Sequence, residues 1–189
     1  MQNNIISKLK SASSISIIDD AYENKLIPIV DALLRGNIDL IMFNHAFYLD
    51  IENLTKNIEL IKNHFGDKIT IGVANTNNKE HIDYVKNAGA DFIILPDSNI
   101  NLIDAAKKSN IFAIPTAISI NDIRTAINNG AKFVKIFPIN TSFSEFNYIT
   151  LLNLENNENF DTNNLNIKQI YKIFDKINLH IINFEYWNF

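Results

Sequence analysis

Lys132-Phe133-Val134-Lys135-Ile136-Phe137-Pro138 is the stretch on which the fold turns. It is short, aromatic and β-branched, with Gly130 ahead of it and Pro138 behind it. Such a run reads as a buried strand. Strand parity puts Phe133, Lys135 and Phe137 on one face and Val134 and Ile136 on the other. A lysine in an apolar strand has two readings. It can sit near the strand end and send its ammonium to water along its apolar stem. Or it can be held in a low-dielectric site, where its pKa falls and the neutral amine becomes a nucleophile toward carbonyl carbon.

Outward from this strand, apolar runs alternate with helical patterns. Strands are expected at 15–18, 38–43, 68–73, 92–95, 111–114 and 132–137. Helices are expected at 22–34, 51–64, 79–88, 102–107 and 120–129. Alternation of this kind, with strands that are apolar throughout, implies a parallel sheet covered by helices. Gly36, Gly89 and Gly130 each stand just before a strand and fit the left-handed position that ends a helix. Pro96, Pro115 and Pro138 follow strands, where a residue without an N–H stops the ladder.

A doubly wound sheet and a (βα) barrel both satisfy this pattern. The first favours a Gly-rich phosphate loop after strand one, and the chain has none: Ile18-Asp19-Asp20-Ala21 stands there. The second puts chemistry at the C-terminal strand ends, where Lys135 lies. In a barrel, Phe133, Lys135 and Phe137 would face the interior.

The 189 residues, 47% of them hydrophobic, suit one domain with a full core. The net charge of -4 is scattered, with no basic stripe, so nucleic acid is not an expected partner. No apolar run approaches the roughly 18 residues of a membrane span. The N-terminus lacks a basic stretch followed by an apolar one. A soluble cytoplasmic protein is the expectation. There is no cysteine, hence no disulfide, thiol nucleophile or thiolate metal site. His64, His81 and His180 show no ligand spacing, so no metal is assigned, and nothing calls for a cofactor. Asp19 and Asp20 are candidate acids, with helix capping as the simpler role.

The stretch from Asn129-Gly130-Ala131 to Pro138 resembles the Schiff-base signature of the 2-keto-3-deoxy-6-phosphogluconate / 4-hydroxy-2-oxoglutarate aldolases. Three further segments resemble that family in the right order. They are Asp31-Ala32-Leu33-Leu34-Arg35-Gly36, Ala88-Gly89-Ala90-Asp91-Phe92-Ile93-Ile94-Leu95-Pro96 and Ile114-Pro115-Thr116-Ala117-Ile118-Ser119. The resemblance implies a TIM-type barrel, usually a homotrimer. It implies a reversible class I aldolase, cleaving a 2-keto-4-hydroxy acid to pyruvate and an aldehyde. Lys135 takes the place of the nucleophile. Pro115 and Phe137 take places beside the substrate.

Other positions depart from the family. Met42 stands where the family has its proton-shuttling glutamate. Ala46 replaces an arginine that holds the substrate carboxylate, removing a bidentate fork. Asn75 replaces a threonine and keeps hydrogen-bonding capacity. Asn44 is a second candidate for the carboxylate. His45, three residues past Met42, is a candidate proton carrier. The glycine-rich phosphate turns are absent, which tilts the expected substrate toward an unphosphorylated keto-hydroxy acid.

The tail differs as well. Residues 141–166 are Asn-rich and read as an inserted or disordered loop. A helix is expected at 167–174 and a strand at 178–184. That makes one domain over 1–189 and an incomplete barrel of about seven strands in a parallel sheet. Oligomerisation, or Tyr186-Trp187-Asn188-Phe189, would cover the gap. Two functional readings follow: a lysine-dependent aldolase acting on a small keto acid, or a non-catalytic relative that keeps the scaffold as a binding or structural protein.

Overall fold

The computed structural model describes residues 2–12, 14–18, 23–47, 50–136, 148–153 and 176–183. Helix α1 (Gln2–Ser11) precedes β1 (Ser14–Ile18). Then α2 (Glu23–Arg35), β2 (Leu40–Asn44), α3 (Ile51–Phe65) and β3 (Thr70–Ala74) follow. They lead to α4 (Lys79–Asn87), β4 (Phe92–Ile94), α5 (Ile100–Lys108) and β5 (Phe112–Ile114). Next come β6 (Thr116–Ala117), α6 (Ile120–Asn128) and β7 (Phe133–Ile136). Strands β8 (Tyr148–Asn153) and β9 (Lys176–Asn183) complete the order.

Local chemistry explains the helix starts. Asp50 caps α3 by accepting from the Asn53 N–H at 2.7 Å, and Asn78 and Asn99 cap α4 and α5 in the same way. At α6, Ser119 and Asp122 form a reciprocal capping box. Gly89 and Gly130 have positive φ, as expected. Gly36 does not. Asn37 takes that position instead, at φ 60°. Asparagine tolerates the left-handed region, so either neighbour can end the helix.

The fold is a TIM-type α/β barrel. β1 to β5 pair in chain order, each parallel to the next. β6 pairs parallel with β7, and β9 parallel with β1. β8 runs antiparallel to both β7 and β9. The βα repeat is thus incomplete, and β8 stands where a further parallel unit would. Its residues are a strand inside the segment expected as a loop. The remainder of 141–166, the helix expected at 167–174 and the terminal 186–189 lie outside the described residues.

The sheet begins at β5 and ends at β6. Only Pro115 separates those two strands. Its missing N–H ends β5, yet its carbonyl accepts from Lys135 N–H at 2.9 Å. One continuous segment therefore hands over from β4 on one side to β7 on the other. Counting β5 and β6 as one position, the strand pairing runs round a ring of eight.

Two apolar layers follow from strand parity. Outside the ring, Ile41, Phe43, Ile71, Val73 and Ile93 pack on Leu54, Ile58, Ile82 and Val85 of α3 and α4. Inside it lie Ile15, Leu40, Met42, Phe92, Phe112, Ile114 and Phe133. Ile5, Ile6 and Leu9 of α1 join this inner group and close the lower end. Gly72 makes room for a ring: an added Cβ there would collide with the Phe92 ring.

Candidate functional site at the barrel mouth

Parity places Lys135 as expected. Phe133 belongs to the inner cluster. Val134 and Ile136 pack outward with Ala117, Ile123 and Ala126 against α6. Lys135, alternate to both, faces the interior near the C-terminal end of β7. Burial pushes its amine below the ordinary lysine pKa, because desolvation disfavours the ammonium. The backbone of Pro115 touches the same residue through the 2.9 Å bond from Lys135 N–H. Thr116, the register partner of Lys135, is buried. Its hydroxyl donates to Leu95 O at 2.6 Å, and Ser98 Oγ donates to Thr116 O at 3.0 Å. These bonds fix the β4, β6 and β7 ends around the lysine.

A second polar group stands on β2 and β3. Asn75 Nδ2 donates to Asn44 Oδ1 at 2.7 Å, and that oxygen also accepts from Ala46 N–H at 3.2 Å. Asn75 holds a left-handed φ of 61°, and its N–H is tied to Ile94 O at 2.9 Å. Asparagine is among the few side-chain-bearing residues that adopt this conformation readily.

His45 opens the short helix after β2 and lies edge-on to His81 of α4, with ring centroids 4.8 Å apart. Burial, then the charge of His81, lowers the His45 pKa, while a hydrogen bond to the Asn75 backbone opposes them. Among the described residues, His81 Nδ1 and the hydroxyl of Thr76, a residue 0% exposed, are buried without a hydrogen-bond partner.

The site residues fall into two groups. Asn44, Asn75 and His45 meet at the ends of β2 and β3. Lys135 and Pro115 meet at β7 and the segment beside it. β2 and β7 are four places apart either way round the ring, so the groups face each other across the mouth. Phe137, Asp19 and Asp20 lie outside the described residues. Met42, at the glutamate position of the resemblance, is 2% exposed in the inner layer, and Ala46 is exposed. Sequence reasoning weighed His81 only as a metal ligand and Thr116 only as part of a family segment, and passed over Thr76 and Ser98. The only signal for His81 was a histidine in the first turn of a helix, which does not reveal a partner 36 positions earlier. Among the described residues, no group of three or more His, Cys, Asp or Glu could hold a metal ion. Nor is any described helix long and apolar enough to cross a membrane.

The model of the family described as KDPG and KHG aldolase matches residues 5–145 of this chain. A 2-dehydro-3-deoxy-phosphogluconate aldolase of Pseudoalteromonas atlantica is 31% identical over 116 residues, or 61% of this chain and 52% of that protein. The match thus spans about half the length of that relative. Solved structures agree on the fold. The 2-keto-3-deoxy-6-phosphogluconate aldolase of Zymomonas mobilis superposes with a TM-score of 0.62 at 19% identity, covering 71% of this chain and 62% of that one. The KDPG aldolase of Legionella pneumophila, with pyruvate captured at low pH as a covalent carbinolamine, gives 0.59 at 25% identity, covering 66% and 58%.

Proposed function

We propose that this chain, which belongs to the KDPG and KHG aldolase family, is a class I aldolase with Lys135 as its Schiff-base nucleophile. The observation that carries this reading is the part-buried lysine near the C-terminal end of β7, on the same face as the inner-cluster Phe133. A neutral amine adds to the ketone of a 2-keto-4-hydroxy acid, and loss of water leaves an iminium. A base then removes the proton from the 4-hydroxyl. The C3–C4 bond breaks and the aldehyde leaves; the C3–C4 pair becomes the new C=C, and the C=N pair moves to the lysine nitrogen. Protonation of that enamine and hydrolysis release pyruvate and restore the amine.

Asn44 and Asn75 supply amide groups for the substrate carboxylate on the far side of the mouth. By the resemblance, Pro115 and Phe137 are assigned beside the substrate, and His45 is the candidate proton carrier. An unphosphorylated substrate is favoured by the direction of β8. A phosphate cradle at a barrel mouth is commonly a strand-to-helix turn ending in a helix N-terminus. Beside Lys135 the mouth instead meets the N-terminal end of an antiparallel strand. The protein would work on a small keto acid in the cytoplasm as a homo-oligomer, a trimer by analogy with the family.

A non-catalytic, binding or structural role is the second reading. It is favoured by buried, apolar Met42, which cannot move a proton. Incubation with pyruvate and borohydride, read by intact mass, decides between them. The aldolase reading expects a pyruvate adduct in the wild type and none in Lys135→Ala. No adduct at saturating pyruvate would favour the second reading.

A further inference from the structure

We propose that His45 and His81 act as one acid–base pair on the rim of the mouth, with His45 exchanging protons with the bound keto acid and His81 as the positioning residue behind it. This rests on the reading of Lys135 as the Schiff-base lysine. The two imidazoles come from different elements, the β2 end and the first turn of α4, and meet with centroids 4.8 Å apart and planes at 66°. A positive charge on His81 at that distance opposes protonation of His45. The same contact lowers the His45 pKa, together with burial, and leaves the ring a neutral acceptor at neutral pH. The hydrogen bond to the Asn75 backbone orients the His45 ring, and Asn75 is itself pinned to Asn44 and to Ile94.

No other titratable group competes closely with the pair among the described residues. From β3 and its following loop come Asn75 and Thr76, neither of which titrates in this range. From α4, Tyr84 lies 6.4 Å from His81, and Lys79, Glu80 and Asp83 are exposed. At the start of α3, Asp50 is committed to the Asn53 backbone and side-chain amides.

The step is a simple transfer. With pyruvate held as the Lys135 iminium, His45 takes a methyl proton. The C–H pair becomes the C=C of the enamine, and the C=N pair returns to the lysine nitrogen. In heavy water the reverse step delivers deuterium to the methyl carbon, so exchange of the pyruvate methyl signal reports the pair without any aldehyde.

The test compares wild type, His45→Gln, His81→Gln and His81→Phe by proton NMR in heavy water, with borohydride trapping of pyruvate as a parallel readout. Trapping depends on Lys135 and should survive in all three variants, which also shows that they fold. Exchange should fall about 100-fold or more in His45→Gln, the least expected for loss of a proton carrier. In the His81 variants the repulsion is gone, so the His45 pKa rises and the acid limb of the pH–exchange profile moves to higher pH. Wild-type exchange in His45→Gln, or an unmoved acid limb in both His81 variants, would overturn the pair while leaving the Lys135 reading intact. Absence of trapping in the wild type would overturn both.

Discussion

Two lysines sit at opposite ends of this barrel, and their surroundings give them opposite fates. At the lower end, Lys62 of α3 reaches Asp91 Oδ2 at 2.6 Å and Ile69 O at 3.0 Å. The same carboxylate oxygen accepts from Ile71 N–H at 2.7 Å. That charge has a counter-charge and clamps α3 to the starts of β3 and β4. At the mouth, the dominant influence on Lys135 is burial, which works against its charge. A charge that is matched ties elements together, whereas desolvation favours the neutral amine that the proposed nucleophile needs. Barrels commonly divide this way, with stability at the lower face and chemistry at the upper.

The sharpest way to break the contrast is to exchange each lysine's role for none. Lys135→Ala should abolish the borohydride-trapped pyruvate adduct completely by intact mass, while Lys62→Met should trap as the wild type does. An adduct surviving in Lys135→Ala would move the nucleophile elsewhere. Next in size, Asp91→Ala leaves the Lys62 ammonium and the Ile71 N–H without this acceptor. It should cost about 3 kcal/mol in urea denaturation, the low end for breaking a buried pair, because the side chains keep 18% and 26% exposure. A loss well below about 1 kcal/mol would make the clamp an ordinary surface pair.

The packed interior between the two lysines gives a smaller effect. Gly72→Ala sets a methyl against the Phe92 ring and should cost about 2 kcal/mol, the usual scale for overpacking. Pairing it with Phe92→Leu should recover part of that loss if the clash is the cause. The smallest effect is a pH dependence. Because the folded pKa of Lys135 lies below that of the unfolded chain, the unfolded state binds more protons between the two values. Wild-type stability should therefore rise relative to Lys135→Met as pH climbs from the lowered pKa toward 10.5, the ordinary lysine value. A flat difference across that window would mean the amine is not desolvated.

Most of the fold was legible because it is written in local pattern. The runs 38–43, 68–73 and 92–95 announce strands by composition, and the parity of 133–137 indicated which way Lys135 points. Less visible features depend on partners distant in sequence. Helix α1 carries few apolar residues, and its use as a floor shows only once Ile5, Ile6 and Leu9 join the inner cluster that holds Phe92 and Phe133. Pro115 reads as a strand end, yet the chain resumes pairing at Thr116 on its other side. In the site, Lys135 stood out as a charge in an apolar strand, and the ordered family segments gave it its expected role. The contact between His45 and His81 is tertiary, and no spacing rule points to it.

The circular pairing carries a consequence for how the molecule is made. Most neighbours in the ring are also near in the chain, so those contacts can form as synthesis proceeds, at small loop-closure cost. The last seam is different. Ser14, at the start of β1, pairs with His180 of β9, far later in the sequence. Until that partner has been translated, β1 offers an unsatisfied edge, and the growing chain is most exposed to association with its copies.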